Sequence, residues 1–246
     1  NNISVVTCNK KGNSSSYEQY SKFKRLAKKN NVSFLYETNV GAGLPIIKTL
    51  NDLWISGDEI LKIEAILSGT ISYIFNNYVG DNTFAEVVRT AQELGYTEPD
   101  PRDDLNGMDF SRKMLILGRE IGLPLEMSNV NIKDFLPEAC LKADSIPAFY
   151  EELEKNEPYF SSFKNEAENS GRKLRLIGVL EDGKINIEVQ IVDANHPFFG
   201  LSGSDNIISF TTSRYKNTPL VVKGPGAGAE VTAAGVFADL VRVTAQ

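Results

Sequence analysis

The sequence predicts an α/β (α+β) protein with a mixed, mostly parallel sheet and helices on one of its faces. Three observations carry that expectation. The chain opens strand–helix–strand, with ISVVT (3–7), SYEQYSKFKRLAKKN (16–30) and VSFLYE (32–37). That is the order in which parallel sheets are wound. Apolar periods of 2 and 3.6 then follow one another as far as residue 121. Beyond that point the chain turns strand-rich, and RKLRLIGVL (172–180) and KINIEVQIV (184–192) flank EDG as a tight hairpin would.

The elements follow in order. Tyr20, Phe23 and Ala27 form one stripe of the first helix, and the five cations between Lys22 and Lys29 read as its solvated face. TNVGAGLPII (38–47) is a turn entering a helix at about Pro45 that ends near Ser56 and Gly57. ILKIEAIL (60–67) alternates as a strand, and SGT leads into a helix with Ile71, Ile74, Phe75 and Tyr78 on its apolar face. FAEVVRTAQELG (84–95) is a helix closed by Gly95, and a further helix runs from about Met108 to Ile121. FYEELEK and SFKNEAEN read as short helices, NIISFTT and LVVK as strands. The chain closes on a glycine-rich loop and a terminal helix.

Composition narrows the classes. The chain has 246 residues, 41% hydrophobic and 24% charged, with a net charge of −6. An acidic protein is a poor partner for nucleic acid or an anionic membrane. Two cysteines, Cys8 and Cys140, allow no disulfide framework and no CxxC metal pair, and fit a reducing, cytoplasmic setting. No apolar run approaches 18 residues. There is no initiator Met and the chain opens in a strand, so it is expected to begin inside a longer fold.

The densest chemistry lies in TEPDPRDDLNGMDFSRK (97–113), with five carboxylates and two prolines in seventeen residues. A calcium loop with Gly107 at its sixth position would put Arg102 and Lys113 where oxygen ligands belong, so it fails. A solvated, proline-stiffened loop accounts for the acids alone. Asp109 and Lys113, however, are spaced i, i+4 beside the buried stripe Phe110, Met114, Leu117, Ile121. A lysine at such an edge has a tunable ammonium, suited to give a proton to a carbonyl oxygen gaining charge. The same spacing serves a purely structural ion pair. GPGAGA (224–229) matches the dinucleotide fingerprint, but only seventeen residues follow it, too few for the first turn of a nucleotide fold. Its amides suit a cofactor contact or a plain strand-to-helix turn. VGAGLP (40–45) with Glu37 suits a monovalent cation or a helix-entry turn. His196, the lone histidine, has no partner for a triad or zinc site and reads as a turn residue.

These residues also carry a resemblance. NKKG (9–12), YETNVGAGLPII (36–47), ILSGTISYIFN (66–76), GYTEPDPRDDLNGMDFSRKMLILGRE (95–120) and the closing GPGAGAEVTAAGVFADL resemble homoserine dehydrogenase, and FLYETNVGAGLPII and FADL are similar to its bifunctional aspartokinase-fused form. The resemblance implies an NAD(P)H-dependent reduction of L-aspartate 4-semialdehyde to L-homoserine, on the route to threonine, methionine and isoleucine. It implies Lys113 as proton donor with Asp109 as its partner. Gly69, Thr70, Tyr96, Glu98, Asp104 and Asp109 are implied to bind substrate, and Lys10 and Gly228 to contact the cofactor, NADP or NAD. Glu37 with the carbonyls of Val40, Ala42 and Leu44 is implied to hold sodium. The implied domains are 1–36, the end of a Rossmann domain; 37–213, for substrate and dimerisation; and 214–246, a return segment and helix packing on the first. The implied partners are the small-molecule substrate and a second copy of the chain in a homodimer or higher oligomer. Without the cofactor-binding half, this chain alone is expected to be inactive or very weak. Two rivals remain: a divalent-metal enzyme using Glu98, Asp103, Asp104 and Asp109, and a non-catalytic oligomerisation fragment.

Overall fold

A computed structural model describes residues 2–133 and 135–244. Strands are β1 (Val5–Val6), β2 (Phe34–Leu35), β3 (Ile60–Ile66), β4 (Val130–Ile132), β5 (Lys173–Glu181), β6 (Lys184–Val192), β7 (Asp205–Thr212) and β8 (Leu220–Pro225). Helices are α1 (Tyr17–Lys29), α2 (Ile46–Ile55), α3 (Gly69–Asn77), α4 (Phe84–Glu93), α5 (Arg102–Leu105), α6 (Met108–Glu120), α7 (Glu138–Leu141), α8 (Ile146–Lys155), α9 (Glu157–Asn169) and α10 (Ala229–Thr244). The α/β class and the helix predicted over 108–121 are both present. The short elements α5, α7 and β4 carry too little period to be read from sequence.

Six strands form one sheet in the order β4-β6-β5-β3-β7-β8, and β1 and β2 pair in parallel by themselves. The large sheet is mixed, as expected, but its strands run mostly antiparallel rather than mostly parallel. Four of its pairings are antiparallel, and only β4 beside β6 is parallel. Loop length explains the difference. Asp182 (φ 50°) and Gly183 (φ 71°) close β5 onto β6 in two residues, and both need the left-handed region that such hairpins use. Seven residues join β7 to β8, too few for the crossover a parallel pair needs.

Helices cover one sheet face, as predicted. Leu174, Leu176 and Leu180 of β5 enter the main core together with Phe110 and Met114 of α6 and Ile71, Ile74 and Phe75 of α3. A Cβ at Gly178 would lie 3.0 Å from both Met114 and Phe110, so the missing side chain lets α6 rest on β5. On the opposite face Ile66, Ile177, Val192 and Ile207 pack under Phe198 and Leu201 of the 193–204 loop. His196 has the turn role expected of it, its Nδ1 accepting the Phe198 amide at 3.1 Å. Buried Arg175 clamps that loop through the carbonyls of Phe198, Phe199 and Leu201. Among the described residues no carboxylate pairs with it, and burial pulls its guanidinium down to about 10.

Helix α10 lies on the 37–43 loop. A Cβ at Gly235 would come within 2.5 Å of Thr38, and Asp239 accepts the Glu37 amide at 2.9 Å. Among the described residues no helix is long and apolar enough to cross a membrane.

Phe84 is 1% exposed and stacks on Phe160 with centroids 4.2 Å apart, joining α4 to α9. Phe84→Ala is expected to cost about 3–5 kcal/mol in chemical denaturation, the usual loss for emptying an aromatic site. A loss below ~1 kcal/mol would show that the core collapses around the hole.

Candidate active site

Helix α6 begins abruptly. Gly107 (φ 71°) turns the chain, and Asn106 Oδ1 accepts the Met108 amide at 2.8 Å. Asp109 therefore sits in the first turn, where the helix dipole favours an anion. Lys113, one turn on, places Nζ 2.8 Å from Asp109 Oδ2 and donates to the Leu67 carbonyl at 2.6 Å. Its side chain is only 11% exposed. From the loop after β1, Lys10 Nζ reaches Asp109 Oδ1 at 3.2 Å. One carboxylate thus holds two ammonium groups that arrive from distant parts of the chain.

Their environments pull in different directions. Burial lowers the Lys113 ammonium below the ordinary lysine range; Asp109 opposes that and Lys10 adds to it. Burial alone would raise Asp109, but the charges of Lys113 and Lys10 outweigh it and hold the carboxyl low. An ammonium has three N–H donors, and the described residues accept from Lys113 at two of them. The remaining donor is available to an oxygen in the cleft that Lys113 lines.

That cleft measures about 510 Å³ and has an acidic side. Asp104 Oδ2 accepts the Glu98 amide at 2.8 Å, and Oδ1 lies 3.2 Å from the Thr70 hydroxyl, which also donates to the Tyr96 carbonyl at 2.6 Å. Burial raises the Asp104 carboxyl, and the neighbouring charges of Glu98 and Asp103 add to the rise. Glu98, Asp103, Asp104 and Asp109 all line the cleft, facing Lys10, Lys113, Gly226 and Gly228.

The structure therefore brings together Lys10, Glu98, Asp104, Asp109, Lys113 and Gly228. Gly69, Thr70 and Tyr96 do not line the cleft: Thr70 ties Tyr96 to Asp104, the Tyr96 ring stacks on Tyr73 at 4.4 Å, and Gly69 opens α3. Glu37 is buried, its Oε1 accepting the Ile47 amide at 2.8 Å and its Oε2 the Lys48 amide at 3.0 Å at the start of α2. Arg242 stands 3.5 Å from its Oε2. Val40 is fully buried, Ala42 (φ 52°) lines the cleft, and the Leu44 carbonyl accepts the Ile46 amide. Among the described residues no three His, Cys, Asp or Glu side chains converge as metal ligands, so the divalent-metal rival loses its footing.

Sequence reasoning missed three participants. The Leu67 carbonyl carries no side-chain signal. Thr38 lines the cleft, and its buried hydroxyl has no hydrogen-bond partner among the described residues. Ser68 caps α3 by accepting the Ile71 amide. The serine alone was findable, as a capping type just before an apolar run.

Comparison with known proteins places this geometry. The homoserine dehydrogenase family model matches residues 45–241. The chain is 49% identical to bifunctional aspartokinase/homoserine dehydrogenase 2 of Arabidopsis thaliana over 98% of its length, but spans only about a quarter (26%) of that protein. It is 44% identical to homoserine dehydrogenase of Schizosaccharomyces pombe, covering 99% of this chain and 67% of that one. A hyperthermophilic archaeal homoserine dehydrogenase solved in complex with NADPH superposes with a TM-score of 0.74 at 25% identity, over 99% of this chain and 65% of that one. A match that runs unbroken from α2 through α6 and the glycine loop into α10 takes in most of the cleft's walls, and on that ground the chain belongs to the homoserine dehydrogenase family.

Proposed function

We propose that the cleft is the reaction centre of a homoserine dehydrogenase, where L-aspartate 4-semialdehyde is reduced to L-homoserine on the way to threonine, methionine and isoleucine. The observation that carries this reading is Lys113, a buried ammonium on a cleft wall with one donor to spare. A nicotinamide, when bound, would supply the hydride. Lys113 gives the proton to the aldehyde oxygen as negative charge develops there. Asp109 keeps that ammonium charged and aimed. Glu98 and Asp104 attract the substrate's amino group, while Thr70 and Tyr96 brace Asp104 from behind. Gly69 lets the start of α3 pack closely on the loop before β7, since its Cβ would lie 3.2 Å from the Ser204 carbonyl.

The residues fit a dinucleotide. Gly226 has no room for a Cβ, which would fall 1.9 Å from Asn206, and Gly228 adopts φ 119°. The loop opens the 16-residue α10, whose first amides lack helical partners. Thr38, whose hydroxyl has no partner among the described residues, and Lys10 line the same wall. NADPH, the ligand of the archaeal neighbour, is the first candidate, with NADH second. The ligands that the resemblance implies for sodium, Glu37 and the carbonyls of Val40, Ala42 and Leu44, are all oxygens, as a hard cation requires, although the Ile47 and Lys48 amides already occupy the Glu37 carboxylate. Arg242 already supplies part of the balancing charge there.

In this reading residues 1–36 end the nucleotide-binding domain, 37–213 bind substrate and pair two subunits through the sheet, and 214–246 return to the first part. The free thiols Cys8 and Cys140 support a reducing compartment, which the cytoplasm provides. The Arabidopsis relative is named chloroplastic.

Three measurements on the full natural protein check this. Lys113→Ala should lower kcat by about 10²–10⁴-fold with the semialdehyde, the usual weight of a general acid. Unchanged turnover would remove the proton donor from the mechanism, and absence of turnover in the unsubstituted protein would leave the oligomerisation rival. Asp104→Asn should raise KM about ten- to a hundredfold, with kcat less affected, as expected for a charged hydrogen bond. The pH profile fixes the sign of the electrostatics. Activity needs protonated Lys113, so kcat/KM falls as pH rises through its lowered value. Asp109 raises that value; Asp109→Asn should therefore move the basic limb to lower pH. A limb that stays in place would unlink the carboxylate from the titration.

A further inference from the structure

The far end of α6 makes contacts that the proposed chemistry does not use. Arg119 and Glu120 close the helix and are almost fully buried. The Arg119 side chain is 0% exposed and donates to the Leu125 carbonyl at 2.9 and 2.8 Å and to the Asn13 carbonyl at 2.8 Å. Glu126, 3.2 Å from Arg119, accepts the Tyr17 amide at 2.8 Å. Glu120 accepts the Tyr20 hydroxyl at 2.9 Å and the Asn51 amide at 3.1 Å, with Tyr36 and Lys24 also at its carboxylate. All these partners except Leu125, Glu126 and Asn51 belong to residues 13–36.

Asn13 stands three residues from Lys10 in one turn, in which the Lys10 carbonyl accepts both the Ser14 amide at 2.8 Å and its hydroxyl at 2.9 Å. The Asn13 side chain donates to Asn39 at 2.8 Å, and Asn39 in turn donates to the Thr7 carbonyl at 3.1 Å. The loop that bears Lys10 is thus held on both flanks. Arg119 follows Lys113 by six residues, about 9 Å along the helix at 1.5 Å per residue. A helix is stiff over that distance, so the Arg119–Asn13 contact and the Asp109–Lys10 contact are set together.

We propose that Arg119 is a positioning residue for the reaction: through the Asn13 carbonyl, with the Asn13–Asn39 bridge as its second support, it fixes Lys10 against Asp109 beside Lys113. A charge brought from another part of the chain keeps a 3.2 Å contact only if its loop is anchored, because a lysine has four freely rotating side-chain bonds. Buried Arg119 forms that anchor with planar, divergent donors that a lysine cannot reproduce. The charged groups facing Lys113 are Asp109 on its own helix, Lys10 from the loop and Asp104 from α5. Displacing Lys10 removes the one like charge among them.

This inference rests on the proposed role of Lys113, and its test separates the two. The profile of kcat/KM against pH is measured with the full natural protein and the variants Lys10→Met, Arg119→Lys and Asn13→Ala. Lys10→Met should move the basic limb to higher pH, because Lys113 loses a repelling neighbour. Arg119→Lys and Asn13→Ala should move it in the same direction and lower kcat/KM by about tenfold or more. The double variant Lys10→Met/Arg119→Lys should lose no more than about the larger single loss, since both changes act on one contact. A merely structural Arg119 would lower thermal stability and leave the limb of the surviving folded enzyme in place, which would overturn the proposal. So would a Lys10→Met profile with no displacement, or fully additive losses. Should Arg119→Lys not fold, Asn13→Ala leaves the arginine's own contacts intact and reads the same displacement. Failure of the Lys113 reading shows separately, as undiminished turnover in Lys113→Ala.

Discussion

An ammonium buried between a carboxylate and a carbonyl is the constraint on which this structure turns. Taking a charge out of water costs several kcal/mol even after relaxation. Lys113 offsets that cost with Asp109 at 2.8 Å and the Leu67 carbonyl at 2.6 Å. Both partners must be held rigidly, because a partner that wanders leaves the charge uncompensated. Asp109 is rigid because it occupies the first turn of the same helix. The Leu67 carbonyl is rigid because it directly follows β3, the strand that pairs with both β5 and β7 in the middle of the sheet.

The rest of the architecture follows from seating α6 correctly. The helix lies on β5 at Gly178, where no side chain intervenes, and its apolar stripe fills the main core. One end carries Asp109 and Lys113; the other carries Arg119 and Glu120, which grip the segment leading from Lys10 to Tyr36. The acids of the 98–104 stretch approach from the helix's N-terminal side, where Thr70 and the Glu98 amide hold Asp104. The two sides of the cleft thus carry opposite charge close together without collapsing onto one another. Glu98 and Asp104 face the cleft while Asp109 is already engaged by two lysines. Such a division suits a substrate that carries a cation at one end and develops an anion at the other.

Much of this was legible in the residues. The bounds of α6 follow from Gly107 and Gly122 around a strong period, and the i, i+4 pair Asp109–Lys113 is local enough to read directly. The hairpin at 181–183 is equally plain, and it makes β5 and β6 antiparallel, because two residues can join only antiparallel neighbours. The strand–helix–strand opening did produce a parallel pair, though only two residues long on each side. Gly69, Thr70 and Tyr96 carry no local signal and are implied by family likeness alone; in the fold the Thr70 hydroxyl meets the Tyr96 carbonyl and Asp104.

What the sequence determined by itself are the quantities set within a few residues: helix ends, the hairpin turn, the acidic character of the 97–113 stretch and the pairing of Asp109 with Lys113. Each depends on backbone preference or on spacing along one helix. Only the tertiary structure decided that Lys10 reaches the same carboxylate across about a hundred residues, that a backbone carbonyl accepts an N–H of Lys113, and that Arg119 holds the Asn13 turn. Those contacts join segments remote in sequence through groups that leave little or no trace in residue type. They exist because burial leaves no water to satisfy a charge, so the fold must bring a partner to it from wherever the chain passes.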